Sequence, residues 1–115
     1  MSGPILHLTH WAEWEEALQR GSYTAPSLDG VGFIHCSFPH QLERVANAFY
    51  ANHANLVILV IDASRLTSPL KVEKAVDVED EYPHIYGPLN LDAVTEVVPL
   101  LPASDQLFHL PQGLA

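Results

Sequence analysis

Cysteine, basic residues and long apolar runs are all scarce in this sequence of 115 residues. The single cysteine, Cys36, has no partner within the chain, so an internal disulfide is excluded and nothing asks for an oxidising compartment. No apolar stretch approaches the ~20 residues that a membrane-spanning helix needs. The first residues run straight into a strand pattern with no basic, apolar, small-residue leader, and the expectation is a cytoplasmic protein without a membrane partner. Five Lys and Arg stand against fourteen Asp and Glu, a formal charge of −9. Such a chain repels phosphate backbones unless its few cations are focused in one place, which argues against nucleic acid but not against a small phosphorylated ligand. HExxH, CxxC and GxSxG are missing too, so no local spacing commits the chain to zinc or to a serine hydrolase. Internal repeats and low-complexity tracts are absent.

What is present is a 48% apolar composition, enough for one packed core. The length predicts a single domain over residues 1–115, with its core at about 4–101 and a tail at 102–115. Ile5 to Leu8 reads as a strand. Trp11, Trp14 and Leu18 recur at helical spacing, with Thr9 as the cap and Gly21 as the stop. Ser22 to Gly32 reads as a loop, and Val31 to Ser37 as a buried strand. Ser37 is placed to cap a second helix that runs to about Asn52, with Pro39 in its first turn and Leu42, Val45, Ala46 and Phe49 on one face. Leu56 to Ile61 is an unbroken aliphatic run, the mark of a central strand buried on both faces. Leu70 to Ala75 and Val94 to Leu101 are further strands, Asp77 to Glu81 an acidic loop, and Pro83 to Pro88 a short strand bounded by turns. Helices early and strands late predict an α+β fold.

Three of the seven histidines sit inside apolar segments: His7 in ILHLT, His35 in GFIHCS and His84 in PHIYG. A buried imidazole must have its nitrogens satisfied, since an unpaired buried polar group costs on the order of 1–3 kcal/mol. Each alone fits a core histidine bonded to backbone. Three in separate strands predict one shared cleft, beside Thr9, Ser37 and Tyr86. Cys36 follows His35 directly, so on a strand the two point to opposite faces and make a poor nucleophilic pair. Ser37 returns to the His35 face, where capping competes with ligand contact. The amides that open the second helix offer an anion site, and Arg44 lies one to two turns further on. Pro83 and Gly87–Pro88 stiffen the segment that carries His84 and Tyr86, a support suited to a planar ligand. A long-range metal set of His7, His35, His84 and Glu73 would be a minority arrangement.

ILHLTHWAEW, GFIHCS, ANAFY and PHIYGPLN together resemble the domain-of-unknown-function 952 family, from about Ile5 to Pro99. That family is grouped by fold with the ADP-ribosyltransferases. The resemblance implies a split, curved β-sheet with two main helices and a cleft of the NAD-binding kind. It implies that His7 orients a ribose, that His35 contacts the ligand, and that Tyr86 and Glu73 fill the stacking and late-carboxylate roles. The expectation is therefore a nucleotide-binding domain with NAD or an ADP-ribose-like molecule as ligand. In an ADP-ribosyltransferase-like enzyme of this kind, His35, His84 and Glu73 would be the catalytic residues. His7, Thr9, Ser37, Arg44 and Tyr86 would be the binding residues. The alternatives are a non-catalytic ligand- or protein-binding module and a histidine-based metal-dependent hydrolase. Oligomeric state is not legible.

Overall fold

Six consecutive aliphatic residues form strand β4 (Leu56–Ile61), and all six are buried. It lies between β1 (Ile5–His10) and β8 (Val94–Leu100) in an antiparallel sheet, with Leu6 opposite Val60 and Ile58 opposite Val98. Its alternate side chains feed two separate cores. Val57, Leu59 and Ile61 join Trp14, Tyr23, Ile34 and Ile85 on one face, while Leu56, Ile58 and Val60 join Leu42, Ala46 and Phe108 on the other. This is the physical content of an apolar run without alternation: a strand that meets no water on either side.

The chain is α+β, and the computed structural model describes residues 3–74 and 80–114. Helix α1 (Trp11–Arg20) ends on Gly21, whose φ of 93° is the left-handed conformation that closes many helices. It buries Trp14 and Ala17, while Trp11 and Leu18 remain 45% and 54% exposed, so the expected Trp11–Leu18 stripe is rotated toward Ala17. Ser22 to Gly32 is more than a loop. It carries β2 (Ser22–Tyr23) and the short helix α2 (Ser27–Gly30), and β2 pairs with β7 (Leu89–Asn90). The expected strand at Val31–Ser37 contracts to β3 (Ile34–His35), while Ser37 bridges back to Leu6 of β1.

That bridge corrects the role expected of Ser37. Its N–H and C=O bond Leu6 at 2.7 and 2.8 Å, and the residue before helix α3 (Pro39–Phe49) is Phe38. The Phe38 amide is taken by the Gln41 side chain at 2.9 Å, the return half of a capping box, with no serine hydroxyl on the other half. Leu42 and Ala46 face the core as predicted, but Phe49 is 74% exposed and Gln41 is buried in its place. A final sheet has the order β3–β6–β5, with β5 at Leu70–Lys74 and β6 at Glu81–Ile85. Ala75 and most of the expected acidic loop lie outside the described residues. The tail is fastened: Phe108 is 3% exposed, and Asn47 of α3 brackets it by bonding both its N–H and its C=O. Among the described residues no helix is long and apolar enough to cross a membrane.

Candidate functional site

Register decides which side chains meet on the β3–β6–β5 sheet. His35 pairs with His84, Lys71 with His84, and Glu73 with Tyr82, all antiparallel. Side chains alternate along a strand, so Phe33 and His35, then Tyr82, His84 and Tyr86, then Lys71 and Glu73, share one face. Ile34 and Ile85 point the other way into the core. Three segments far apart in sequence thus deliver one continuous polar and aromatic surface.

At its centre His84 Nδ1 lies 2.9 Å from Glu73 Oε1, and the Tyr86 hydroxyl donates to the same oxygen at 2.5 Å. A carboxylate can only accept, so Nδ1 carries a proton, and in the neutral form of the ring the lone pair lies on Nε2. The two donors hold the Glu73 carboxyl below the usual carboxylate range, the Tyr86 bond first and the His84 bond second. The same carboxylate pushes the Tyr86 phenol up. The Phe33 ring stacks on His84 with centroids 3.9 Å apart and planes 17° apart, which accounts for a histidine only 6% exposed on an open face. His35 meets both, edge-on to His84 at 5.6 Å and to Phe33 at 4.8 Å. Desolvation, and then the His84 charge, lower the pKa of His35, favouring its neutral form. Two of the chain's five basic residues border this face. Lys71 Nζ lies 4.9 Å from the Tyr86 ring centre, and Arg44 donates to Tyr82 Oη at 2.6 Å and to Asp80 at 3.1 Å. Gly87 turns the chain after Tyr86 at φ 147°, where a Cβ would come within 2.6 Å of the Ser68 hydroxyl.

His7 stands apart from this face. Its Nδ1 lies 2.5 Å from the carbonyl of His35, and its Nε2 2.8 Å from the Tyr23 hydroxyl. Both nitrogens face groups inside the protein, and burial above all pushes its pKa down to about 4. The Tyr23 hydroxyl donates to Thr9, and Thr9 donates to Glu13, at 2.9 and 2.8 Å. With Nδ1–H committed to a carbonyl, the three contacts from His7 to Glu13 share only the two hydroxyl protons of Tyr23 and Thr9. A third proton completes the chain only when His7 or Glu13 gains one. His7 and Thr9 therefore act from beneath, His7 by clamping the backbone that presents His35. The single concavity expected of His7, His35 and His84 reduces to the pair His35–His84. The expected amide cradle at the start of α3 is reduced, because Pro39 has no N–H and the Phe38 and Gln41 amides are bonded within the turn.

Phe33 and Lys71 escaped sequence reading, as did the Tyr23–Glu13 chain. Phe33 was detectable, since it stands two residues before His35 in GFIHCS and alternation puts both on one face. Lys71 stands in the same relation to Glu73. Among the described residues no group of three or more His, Cys, Asp or Glu is placed to hold a metal ion. Two open grooves lie elsewhere, one of about 410 Å³ between Pro39, His40, Glu43, Arg44 and Leu110, and one of about 520 Å³ bordered by Glu13, Thr24, Pro26 and Asp29.

The fold is shared with protein CC0527 of Caulobacter crescentus. Its crystal structure is 30% identical over 93% of this chain and 94% of that one, with a TM-score of 0.83. Its solution NMR structure is 32% identical over 97% of both chains, again with a TM-score of 0.83. No curated protein matches. Residues 8–97 match the model of DUF952, a protein family of unknown function, and with its fold and its histidine-bearing strands in place the chain belongs to that family.

Proposed function

We propose that the face formed by Phe33, His35, Glu73, His84 and Tyr86 binds NAD or a related ADP-ribosyl nucleotide and cleaves its nicotinamide–ribosyl bond. The observation that carries this reading is the Glu73 carboxylate held between His84 and Tyr86 on a surface of stacked rings. The ring faces suit a planar base. Arg44 and Lys71 concentrate positive charge where an otherwise acidic chain needs it for a pyrophosphate. When the glycosidic bond breaks, its electron pair leaves with nicotinamide, and C1′ of the ribose becomes oxocarbenium-like. An ionised carboxylate nearby stabilises that charge. The incoming nucleophile loses its proton to the lone pair of His84 Nε2, whose ring is oriented by the Nδ1–H bond to Glu73. The resemblance to the ADP-ribosyltransferases supports the choice of ligand.

Calorimetric titration of NAD and ADP-ribose, with chromatography of released nicotinamide, tests the proposal. Wild type should bind and turn over slowly. Glu73→Gln should bind within about threefold and lose at least about a hundredfold in rate, the scale of a lost transition-state contact. Binding without nicotinamide release in wild type would mark a non-catalytic nucleotide module. No heat and no NMR shift change at millimolar nucleotide would sink the nucleotide reading altogether.

A further inference from the structure

We propose that His10 and His53 form a surface site for one divalent transition-metal ion of square-planar or octahedral preference, Cu²⁺ or Ni²⁺ ahead of Zn²⁺. The site is separate from the His35–His84 face and does not rest on the nucleotide reading. His10 closes β1 immediately before α1, and His53 follows α3, where the chain turns back into β4. Forty-three residues apart in sequence, they meet because β1 and β4 are paired neighbours.

In the metal-free structure the two ring nitrogens face each other across a hydrogen bond, at a separation that one ion can span. His10 Nε2 and His53 Nδ1 are 3.0 Å apart, with rings 5.2 Å between centroids and tilted by 28°. Two nitrogens each bonded at about 2.0–2.1 Å to one ion and 3.0 Å from each other subtend about 90–100° at the metal. That is a cis pair in a square plane or an octahedron. A tetrahedral ion needs them roughly 0.3–0.4 Å further apart at the same bond lengths, which disfavours Zn²⁺. The tautomer is already set. His10 Nδ1 lies 3.2 Å from Glu13 Oε1 and donates to it, so Nε2 presents its lone pair. A carboxylate behind a ligand histidine, fixing the ring and raising its basicity, is the usual support of a protein metal site. His53 is exposed and the His10 side chain is 38% exposed, so water can complete the coordination. Tyr50 flanks the pair, its ring 5.3 Å from that of His53 and 6.3 Å from that of His10.

The metal-free contact is a hydrogen bond in which His53 Nδ1–H donates, and an ion replaces that proton, so metal uptake at this pair releases it.

The test is calorimetric titration of CuCl₂, NiCl₂ and ZnCl₂ into the full chain at pH 7.5, with histidine ring NMR signals followed in the diamagnetic Zn²⁺ titration. One equivalent of Cu²⁺ should bind, with Ni²⁺ weaker and Zn²⁺ at least about tenfold weaker than Cu²⁺. His53→Ala, at an exposed loop position, should lower Cu²⁺ affinity at least tenfold. His10→Gln should do the same, and circular dichroism of each variant should match wild type. His109→Ala is the control, because His109 also lies beside carboxylates, Asp105 at 2.8 Å and Glu43 at 3.6 Å. Wild-type affinity in His53→Ala, loss in His109→Ala instead, or no stoichiometric binding of Cu²⁺ would each overturn the proposal.

Discussion

Two histidines of equal burial, His7 and His84, both 6% exposed, sit in sheets of opposite character. His7 lies on β1, in a sheet whose central strand is apolar on both faces, and it spends both nitrogens on the fold. His84 lies on β6, whose partners put polar groups on one face, and it spends one nitrogen on Glu73. Burial alone therefore does not distinguish a structural histidine from a chemical one. The partners do. A carbonyl and a buried phenol fix His7 as a clamp, whereas an ionised carboxylate at a half-open position gives His84 a direction and a proton acceptor.

The contrast can be broken most strongly in the apolar sheet. Leu59 is wholly buried on β4, so Leu59→Ala should cost about 2–5 kcal/mol in urea unfolding. Val72→Ala, on the sheet that carries the polar face and 48% exposed, should cost less than about 0.5 kcal/mol. Equal losses at the two positions would show that the sheets are not different in kind.

The next effect belongs to His7 and is read as pH dependence. The unfolded imidazole takes its proton near pH 6.5, while the native one holds off until about 4. The unfolded state then binds more protons between those values, so the stability His7 contributes is present above 6.5 and is lost as pH falls toward 4. The span corresponds to about 3 kcal/mol. Urea midpoints taken between pH 4 and 7 should show this slope in wild type, and His7→Gln should flatten it. A slope unchanged in the variant would assign the effect to other groups.

A smaller loss, about 1–3 kcal/mol, is expected of Gly87→Ala, which combines a strained backbone angle with a Cβ against Ser68. It should also move the ring NMR signals of Tyr86, because the turn sets that side chain on the face. The smallest effect lies in the tail. The Asp105 carboxylate, with Glu43 adding to it, raises the pKa of His109. This contribution is present below about pH 6.5 and fades as pH rises through the raised native value. The protection factor of the Leu110 amide, which donates to Glu43 at 3.0 Å, should fall over that rise and should not change with pH in His109→Ala.

How far the sequence spoke differs between the same two regions. β4 was legible because six aliphatic residues in a row have only one comfortable environment. The end of α1 was legible because glycine takes a left-handed angle that other residues resist. Phe49 misled because it shares a helical stripe with Leu42, yet the tail's Phe108, 59 positions further on, packs into that core instead. Ser37 misled because its residue type suits a helix cap, while pairing with Leu6 claimed its backbone for a sheet. Gln41, polar and therefore assigned to solvent by any periodicity rule, is 1% exposed and donates to Asp80 and the Glu81 carbonyl, locking the start of β6 to α3.

By itself the sequence determined the fold class, the long strands, the two main helices and the segments in which the chemically useful histidines lie. These follow from local preference and from the free energy of burying apolar area, both carried by neighbouring residues. Only the tertiary structure decided that His84 meets Glu73 and Tyr86, that Phe33 covers it, that His7 faces inward, and that His10 finds His53. Each of those outcomes depends on strand register or on contacts between distant segments, and a shift of one residue in register would turn the strand-borne His7, Glu73 and His84 to the opposite face.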